Sequence, residues 1–472
     1  MIKNQRIKQK NNIKTLPKGL AILTILGPGL VWTSDLVGSG EVIITTRNGA
    51  ILGIAVLWAI VIGIFLKCWI GLSGARYTVC TGEGMIDMFS RIPGPRNWIV
   101  WIVMVIQLLS AAIGMGSLAS AAGNFLHGLI PVPPNIAGWL ISILALIVLW
   151  SGKFNILKFI MTFLVAIMCI GTIYVAVIVS PSLSELFKGL LFKIPEVPDW
   201  AINKAGLSQN PWREILPLIG WAAGGFGSQV WYTYWVLGEG YGMANGKQYG
   251  QPADLNELKN LNKEDARKLK GWCRIVNIDA SVAMIITTVL SVCFLIAGAM
   301  ILKPLELAPE DSELAFTLSK IFSSRWGQAG GYLFILSGTA ALSGTLMVQM
   351  AGWPRLIADT VRICIPKFGR IFRWVIQFRI FLVFFFLTNM MIVFTFGFRP
   401  VFLVKTAAVL DGLVLTPVQA ICVFIGLFFI MPKLFTRDVY NIIRPHWIYA
   451  LFLIIAFIVL GYFCVFQVPF II

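Results

Sequence analysis

GPGLVWTSDLVGSGEVIITTRNGAILG, residues 27–53, decides how this chain is read. Gly38-Ser39-Gly40 interrupts an otherwise apolar helical run near its middle, and Asp35 and Glu41 flank the interruption. An ionised carboxylate at the centre of a spanning helix costs roughly 2.5–3.5 kcal/mol on insertion scales, so it persists only beside a partner or water. The stretch therefore predicts a transmembrane helix broken at mid-depth, with acidic groups at the break.

A second stretch, PLIGWAAGGFGSQVWYTYWVLGEG at 217–240, has the same character. Gly224, Gly225 and Gly227 crowd its centre, followed by Ser228 and Gln229. Each glycine lowers helix stability by about 1 kcal/mol against alanine. Unwound backbone at membrane depth is tolerated only where it lines a cavity. Two broken spans, five helices apart, predict two five-helix halves of inverted topology whose breaks meet at the midplane and form a substrate site. The competing reading of the glycines is close helix packing.

Outward from these breaks, the composition is that of a membrane protein. Of 472 residues, 58% are hydrophobic and 12% charged, against roughly 25% charged in soluble proteins. Apolar blocks long enough to cross a bilayer recur along the chain, without the alternation of a membrane barrel. Spans are expected near 19–47, 51–74, 98–126, 135–152, 154–179, 212–237, 272–302, 326–351, 376–397, 401–431 and 445–469. The fold class is thus an all-α polytopic membrane protein of about eleven helices.

Basic residues orient it. With a cytoplasmic N-terminus, most of the lysines and arginines fall on the cytoplasmic side, including Lys3, Arg6, Lys8, Lys10, Lys14 and Lys18 in the first segment. An inner-membrane location with an extracytoplasmic C-terminus follows. The expected organisation is a basic tail at 1–18, a first repeat at 19–179, an extracytoplasmic loop at 180–211, a second repeat at 212–431, and an eleventh helix with the C-terminus at 432–472. The net charge of +17 fits contact with anionic lipid rather than nucleic acid. Eight scattered cysteines without a Cys-x-x-Cys pair, and only two histidines, argue against a zinc or iron–sulfur centre. No cofactor is expected beyond a coupling proton or sodium ion. No segment outside the membrane is long enough for an enzyme domain, and no nucleotide-binding glycine loop is present.

The candidate substrate contacts are Gly38, Ser39 and Glu41 at the first break and Gly227, Ser228 and Gln229 at the second. Asp411 lies in the apolar run VKTAAVLDGLVLTPVQA. It reads as a cation ligand or proton carrier, or else as the partner of Lys405 or a residue at the membrane interface. Glu41, Gln229 and Asp411 are the candidate metal ligands, and Glu41 and Asp411 the candidate proton path. Asp279 and Arg274 read as an ion pair on one helix. Gln107, Ser110 and Ser117 read either as lining a path or as interhelical hydrogen bonds. Trp231, Tyr232, Tyr234 and Trp235 read as an interfacial aromatic belt more readily than as a cation-binding cage.

At these residues the chain resembles the Nramp family of proton-coupled divalent-metal transporters. That family carries Asp-Pro-Gly-Asn in its first helix, where this chain has Gly38-Ser39-Gly40-Glu41, with Gly49-Ala50 and Gly53 in register beyond it. The segment AALSGTLMVQMAGWPRLIAD at 340–359 is similar to the family's eighth helix. The resemblance implies the leucine-transporter fold, with inverted repeats of five helices plus one extra, and alternating access. The departures concern the ligands. Gly38 stands for the family's metal-binding aspartate, Glu41 for its asparagine, and Gly227-Ser228-Gln229 for Met-Pro-His in the sixth helix. Asp411 aligns with a glutamine of the tenth.

Loss of the soft thioether leaves oxygen donors suited to hard cations. The leading expectation is a secondary transporter of a small cation, most naturally a divalent metal. A transporter of an amine or amino acid is the alternative, because Gly38 and Gly227 leave space. A receptor or scaffold would need no carboxylate beside a mid-membrane break.

Overall fold

The computed structural model describes residues 13–17, 19, 27–36, 38–151, 155–247, 249–311 and 313–470. Most of the expected basic tail, and Lys153, lie outside the described residues. Residues 13–17 pack at the end of the bundle that carries the polar 238–270 run: the Lys14 carbonyl accepts from Trp272 Nε1 at 2.8 Å and Lys14 Nζ donates to the Glu239 carbonyl at 3.2 Å.

The described residues form helices and no strands. The first broken span comprises α1, Pro28–Leu36, and after the break a π-helical turn, Gly40–Thr45, running into α2, Thr46–Leu52. Pro28 suits a first helical position, and the Asp279 carboxylate caps the start of α1 by accepting from the Gly29 N–H at 2.7 Å. A bend at Gly53, with φ +73°, leads into α3, Leu57–Thr81. Next come the short α4, Met85–Ser90, and then α5, Trp98–His127, α6, Pro134–Ser151, and α7, Asn155–Ile178. The chain turns by 114° from α7 into α8, Leu183–Gly189, and α9, Asp199–Asn203, completes that loop.

The second broken span comprises α10, Trp212–Trp221, and α11, Phe226–Gly238. After α12, Leu255–Lys259, the long α13, Lys263–Ala297, begins in a reciprocal cap between Asn262 and Asp265. α14, Leu314–Cys364, bends at Gly327. There follow α15, Pro366–Ile371, α16, Trp374–Phe396, and α17, Pro400–Val409. A π-helical turn, Leu410–Val414, carries Asp411 into α18, Thr416–Ile425. α19, Met431–Leu434, α20, Arg437–Ile443, and α21, Trp447–Tyr462, follow, and helical turns continue through Phe463–Gln467 and Val468–Phe470.

Seven helical stretches among the described residues are long and apolar enough to cross a bilayer. One of them, Gly40–Thr81, joins the second half of the first broken span to α3; taken as two passes on either side of the Gly53 bend, and with α6, α7 and the α10–α11 span, the stretches number eleven. α16 and α21 form the rim, with only 22% and 28% of their apolar windows buried, whereas the stretch from Gly40 to Thr81 is 72% buried. Near the first break the packing is backbone to backbone. A methyl group on Gly49 would lie 2.2 Å from the Leu295 carbonyl of α13, and one on Gly298 2.1 Å from the Thr46 carbonyl of α2.

Candidate functional site

The break in the second span is built from backbone conformation. Ala223 and Gly224 adopt φ of +58° and +70°, the left-handed region that disfavours side chains, and Gly225 returns to an extended conformation at the start of α11. The last carbonyls of α10 cannot find helical partners across such a break. Leu218 and Trp221 carbonyls still accept from the N–H groups of Ala222 and Gly224. Gln229 Nε2 donates to the Ala223 carbonyl at 2.8 Å. The remaining Ile219, Gly220 and Gly224 carbonyls all accept from one group, the ammonium of Lys67 on α3. Six carbonyls around the break, those of Leu218, Ile219, Gly220, Trp221, Ala223 and Gly224, thus have donors.

At the first break, Gly38 lies against α14: a methyl group there would meet Thr345 Oγ1 at 2.6 Å. The helix resumes when Val42 N–H donates to the Gly38 carbonyl at 3.0 Å. Glu41, in the first turn after the break, is buried and turns toward α13, where Ser291 Oγ donates to its Oε1 at 3.2 Å. Its Oε2 has no partner among the described residues.

Between the breaks lies a small cavity of about 20 Å³, room for about one water-sized sphere. Its walls include Asp35 and Ser39 from the first span, Trp221, Gly224, Gly225, Ser228 and Trp231 from the second, Thr345 and Gln349 from α14, and Asp411. Two donor chains orient its carboxylates. Trp32 Nε1 donates to Ser228 Oγ at 3.0 Å, and Ser228 Oγ donates to Asp35 Oδ2 at 2.8 Å. On the other wall, Trp353 Nε1 donates to Gln107 Oε1 at 2.8 Å, and Gln107 Nε2 donates to Asp411 Oδ1 at 2.7 Å. The Gly227 N–H adds a 3.3 Å bond to Asp411 Oδ1. Asp35 Oδ1 and Gln349 Oε1, with the indole N–H groups of Trp221 and Trp231, are buried without partners among the described residues. The wall therefore offers oriented carboxyl oxygens together with two indole donors.

Of the residues expected from sequence, Ser39, Ser228 and Asp411 face this cavity, and Gly227 serves it by holding Asp411. Glu41 and Gln229 are not among its lining residues, because the first reaches α13 and the second is spent on the Ala223 carbonyl. Asp35, one turn before the Gly-Ser-Gly break, is the carboxylate that faces the cavity from the first span. Other expectations need correction. Lys405 donates to Glu214 Oε1 at 2.7 Å and is not the partner of Asp411. Asp279 accepts from Gly29 N–H and from Tyr232 OH at 2.9 Å instead of pairing with Arg274. The aromatic run is no interfacial belt: Trp231, Tyr232 and Tyr234 are buried, with Trp32 stacked on Tyr232 at 4.5 Å between centroids. Ser117 bonds the Gly114 carbonyl of its own helix, at 2.7 Å.

Charged networks tie the helices together at each end of the bundle. Toward the loop at 180–211, Arg47 of α2 donates to Glu214 of α10 at 2.9 Å and to Glu310 at 2.8 Å. Burial raises the Glu310 carboxyl above its ordinary range, with Arg47 pulling the other way. Toward the 238–270 run, Tyr234 of α11 donates to Asp359 at 2.8 Å, and Arg362 bridges Asp359 and Asp87 of α4 at 2.7 and 2.8 Å. Among the described residues no group of three or more histidines, cysteines, aspartates and glutamates is placed to hold a metal ion. Any ion here would rely on two carboxylates, hydroxyls and backbone.

The sequence profile of a family described as natural resistance-associated macrophage protein-like matches residues 29–464. An uncharacterised protein of Pasteurella multocida (strain Pm70) is 20% identical over 346 residues, 72% of this chain and 71% of that one. Among solved structures, a manganese transporter from Eremococcus coleocola aligns at a TM-score of 0.63 with 15% identity, covering 97% of this chain and 90% of its own. Mhp1, a nucleobase-cation-symport-1 family transporter in a closed conformation with bromovinylhydantoin bound, aligns at 0.55 with 13% identity, covering 94% and 91%. At such identities the likeness is one of fold, and the fold is that of the leucine transporter.

Proposed function

This chain belongs to the natural resistance-associated macrophage protein-like family, and from that premise we propose that it is a secondary active transporter moving a small cation, with a divalent metal favoured, by alternating access. One observation carries the reading. Two buried carboxylates, Asp35 and Asp411, are each held by a donor chain and face one cavity between two broken helices. Oxygen donors of this kind suit hard cations such as magnesium, calcium or manganese. Asp35, Ser39, Ser228 and Asp411 would contact the cargo, and Glu41, with one buried oxygen unpartnered, would carry a coupling proton. Exchange of the ties at the two ends of the bundle would expose the cavity to each side in turn.

Calorimetric titration of the purified protein with magnesium, calcium and manganese tests this. Wild type should release or absorb heat with at least one metal, and Asp411→Asn and Asp35→Asn should each abolish it. Absence of heat from folded wild type, or unchanged binding in both variants, would refute the cation reading.

The two unpartnered indole N–H groups and Gln349 favour a second reading, a small organic solute that both donates and accepts hydrogen bonds. Binding of a labelled amine or amino acid that metals fail to displace would support it.

A further inference from the structure

Lys67 sits near the middle of the 25-residue α3 and is wholly buried. At about 1.5 Å of rise per residue, either end of α3 is roughly 15–20 Å away, beyond the reach of a four-carbon stem. The ammonium therefore cannot snorkel to water. A lysine ammonium has three donors and no acceptor, and here all three go to backbone carbonyls, those of Ile219, Gly220 and Gly224. Among the described residues no carboxylate pairs with Lys67 within ion-pair distance, and Asp411 and Glu41 act on it only from farther off.

A cation surrounded by convergent carbonyl oxygens is what a bound alkali ion looks like in a protein. The carbonyl end of a half-helix also carries the negative pole of the helix dipole. Gly224 belongs both to this trio and to the wall of the cavity.

We propose that Lys67 is a built-in cation: its ammonium fills, from within the chain, a seat for a monovalent cation formed by the Ile219, Gly220 and Gly224 carbonyls. The break in the second span is then held open and neutralised without a free ion, and sodium is not needed at that seat. This deepens the cation-transport reading by assigning the carbonyl end of α10 to a fixed charge, so that cargo is left to the Asp35 and Asp411 wall.

Thermal unfolding of the full-length purified protein is the test, with chlorides of sodium, potassium, ammonium and methylammonium compared against N-methylglucamine at matched ionic strength. The wild-type midpoint should not depend on which cation is present. Lys67→Ala should unfold several degrees lower in N-methylglucamine, and ammonium or an alkali ion should restore, saturably, half or more of the loss. Lys67→Arg, which keeps a charge but not the compact ammonium, should show no such restoration.

A Lys67→Ala midpoint that responds to no cation would overturn the proposal and leave Lys67 a structural tie. So would an equal cation-dependent recovery of Lys67→Arg, or a sodium-dependent wild type. The readout is stability rather than uptake. A wild type that binds no metal would therefore refute the transport reading while leaving this result to stand or fall alone.

Discussion

Gln107 meets Asp411 across 2.7 Å while its carbonyl oxygen accepts from Trp353 at 2.8 Å, so the amide is fixed in one orientation and presents its donor to the carboxylate. Gln107 is thereby more than a polar residue on an interhelical seam. Hydrogen bonds to charged groups contribute about 1.5–3 kcal/mol. Gln107→Leu should weaken cation binding by roughly tenfold to a hundredfold, read by titration calorimetry, while the protein still folds. Gln107→Glu would set a second acceptor against Asp411 and should weaken binding further.

Gly225 answers to the same carboxylate. A methyl group there would lie 1.8 Å from Asp411 Oδ2, which neither the extended backbone nor the Asp411 turn can absorb. Gly225→Ala should lower stability by about 1–3 kcal/mol, the usual penalty of overpacking, and should remove cation binding. Thermal unfolding and calorimetry on one preparation separate the two effects.

Arg47 is bound to Glu214 and Glu310 with its guanidinium buried, and Glu214 also accepts from Lys405. Removing one member of such a network leaves uncompensated buried charge, with losses of about 3–5 kcal/mol. Arg47→Met should destabilise by that order, and Glu214→Gln combined with it should recover part of the loss. A double-mutant cycle on unfolding midpoints measures the coupling, and additive losses would show that the tie is not energetic.

Asp279 and Arg274 give a fourth comparison. Because Asp279 holds the N-terminus of α1 and the Tyr232 hydroxyl, Asp279→Ala should cost about 1–3 kcal/mol through the lost cap and orphaned donors. Arg274→Ala should stay within about 0.5 kcal/mol of wild type. Equal losses from the two would restore the ion pair that their spacing suggests.

These four cases mark where the sequence could be read and where it could not. The eleven passes were legible because hydropathy is summed over about twenty residues and tolerates errors at the edges. The breaks were legible because Gly38-Ser39-Gly40 and Gly224-Gly225 are local. Which carboxylate faces the cavity was not. Asp35 and Glu41 are six residues apart, and the phase that relates two helical residues is lost when the chain unwinds between them. Asp35 turned inward and Glu41 toward α13. Lys67 and Gln107 were opaque for another reason, since their partners lie on other helices, more than 150 residues away for Gly220 and Gly224 and 304 for Asp411. A lone lysine in an apolar span shows only its penalty, not the carbonyls that offset it.

The contact of Gly49 and Gly298 with the facing backbones of α13 and α2 has a mechanical consequence. With no layer of side chains between them, the two segments have no rotamers to exchange and cannot shear past one another. They act as a single stiff lever. Any rocking of the bundle has to be taken up beyond that lever, as at Gly53, which directly follows α2 with a φ of +73°.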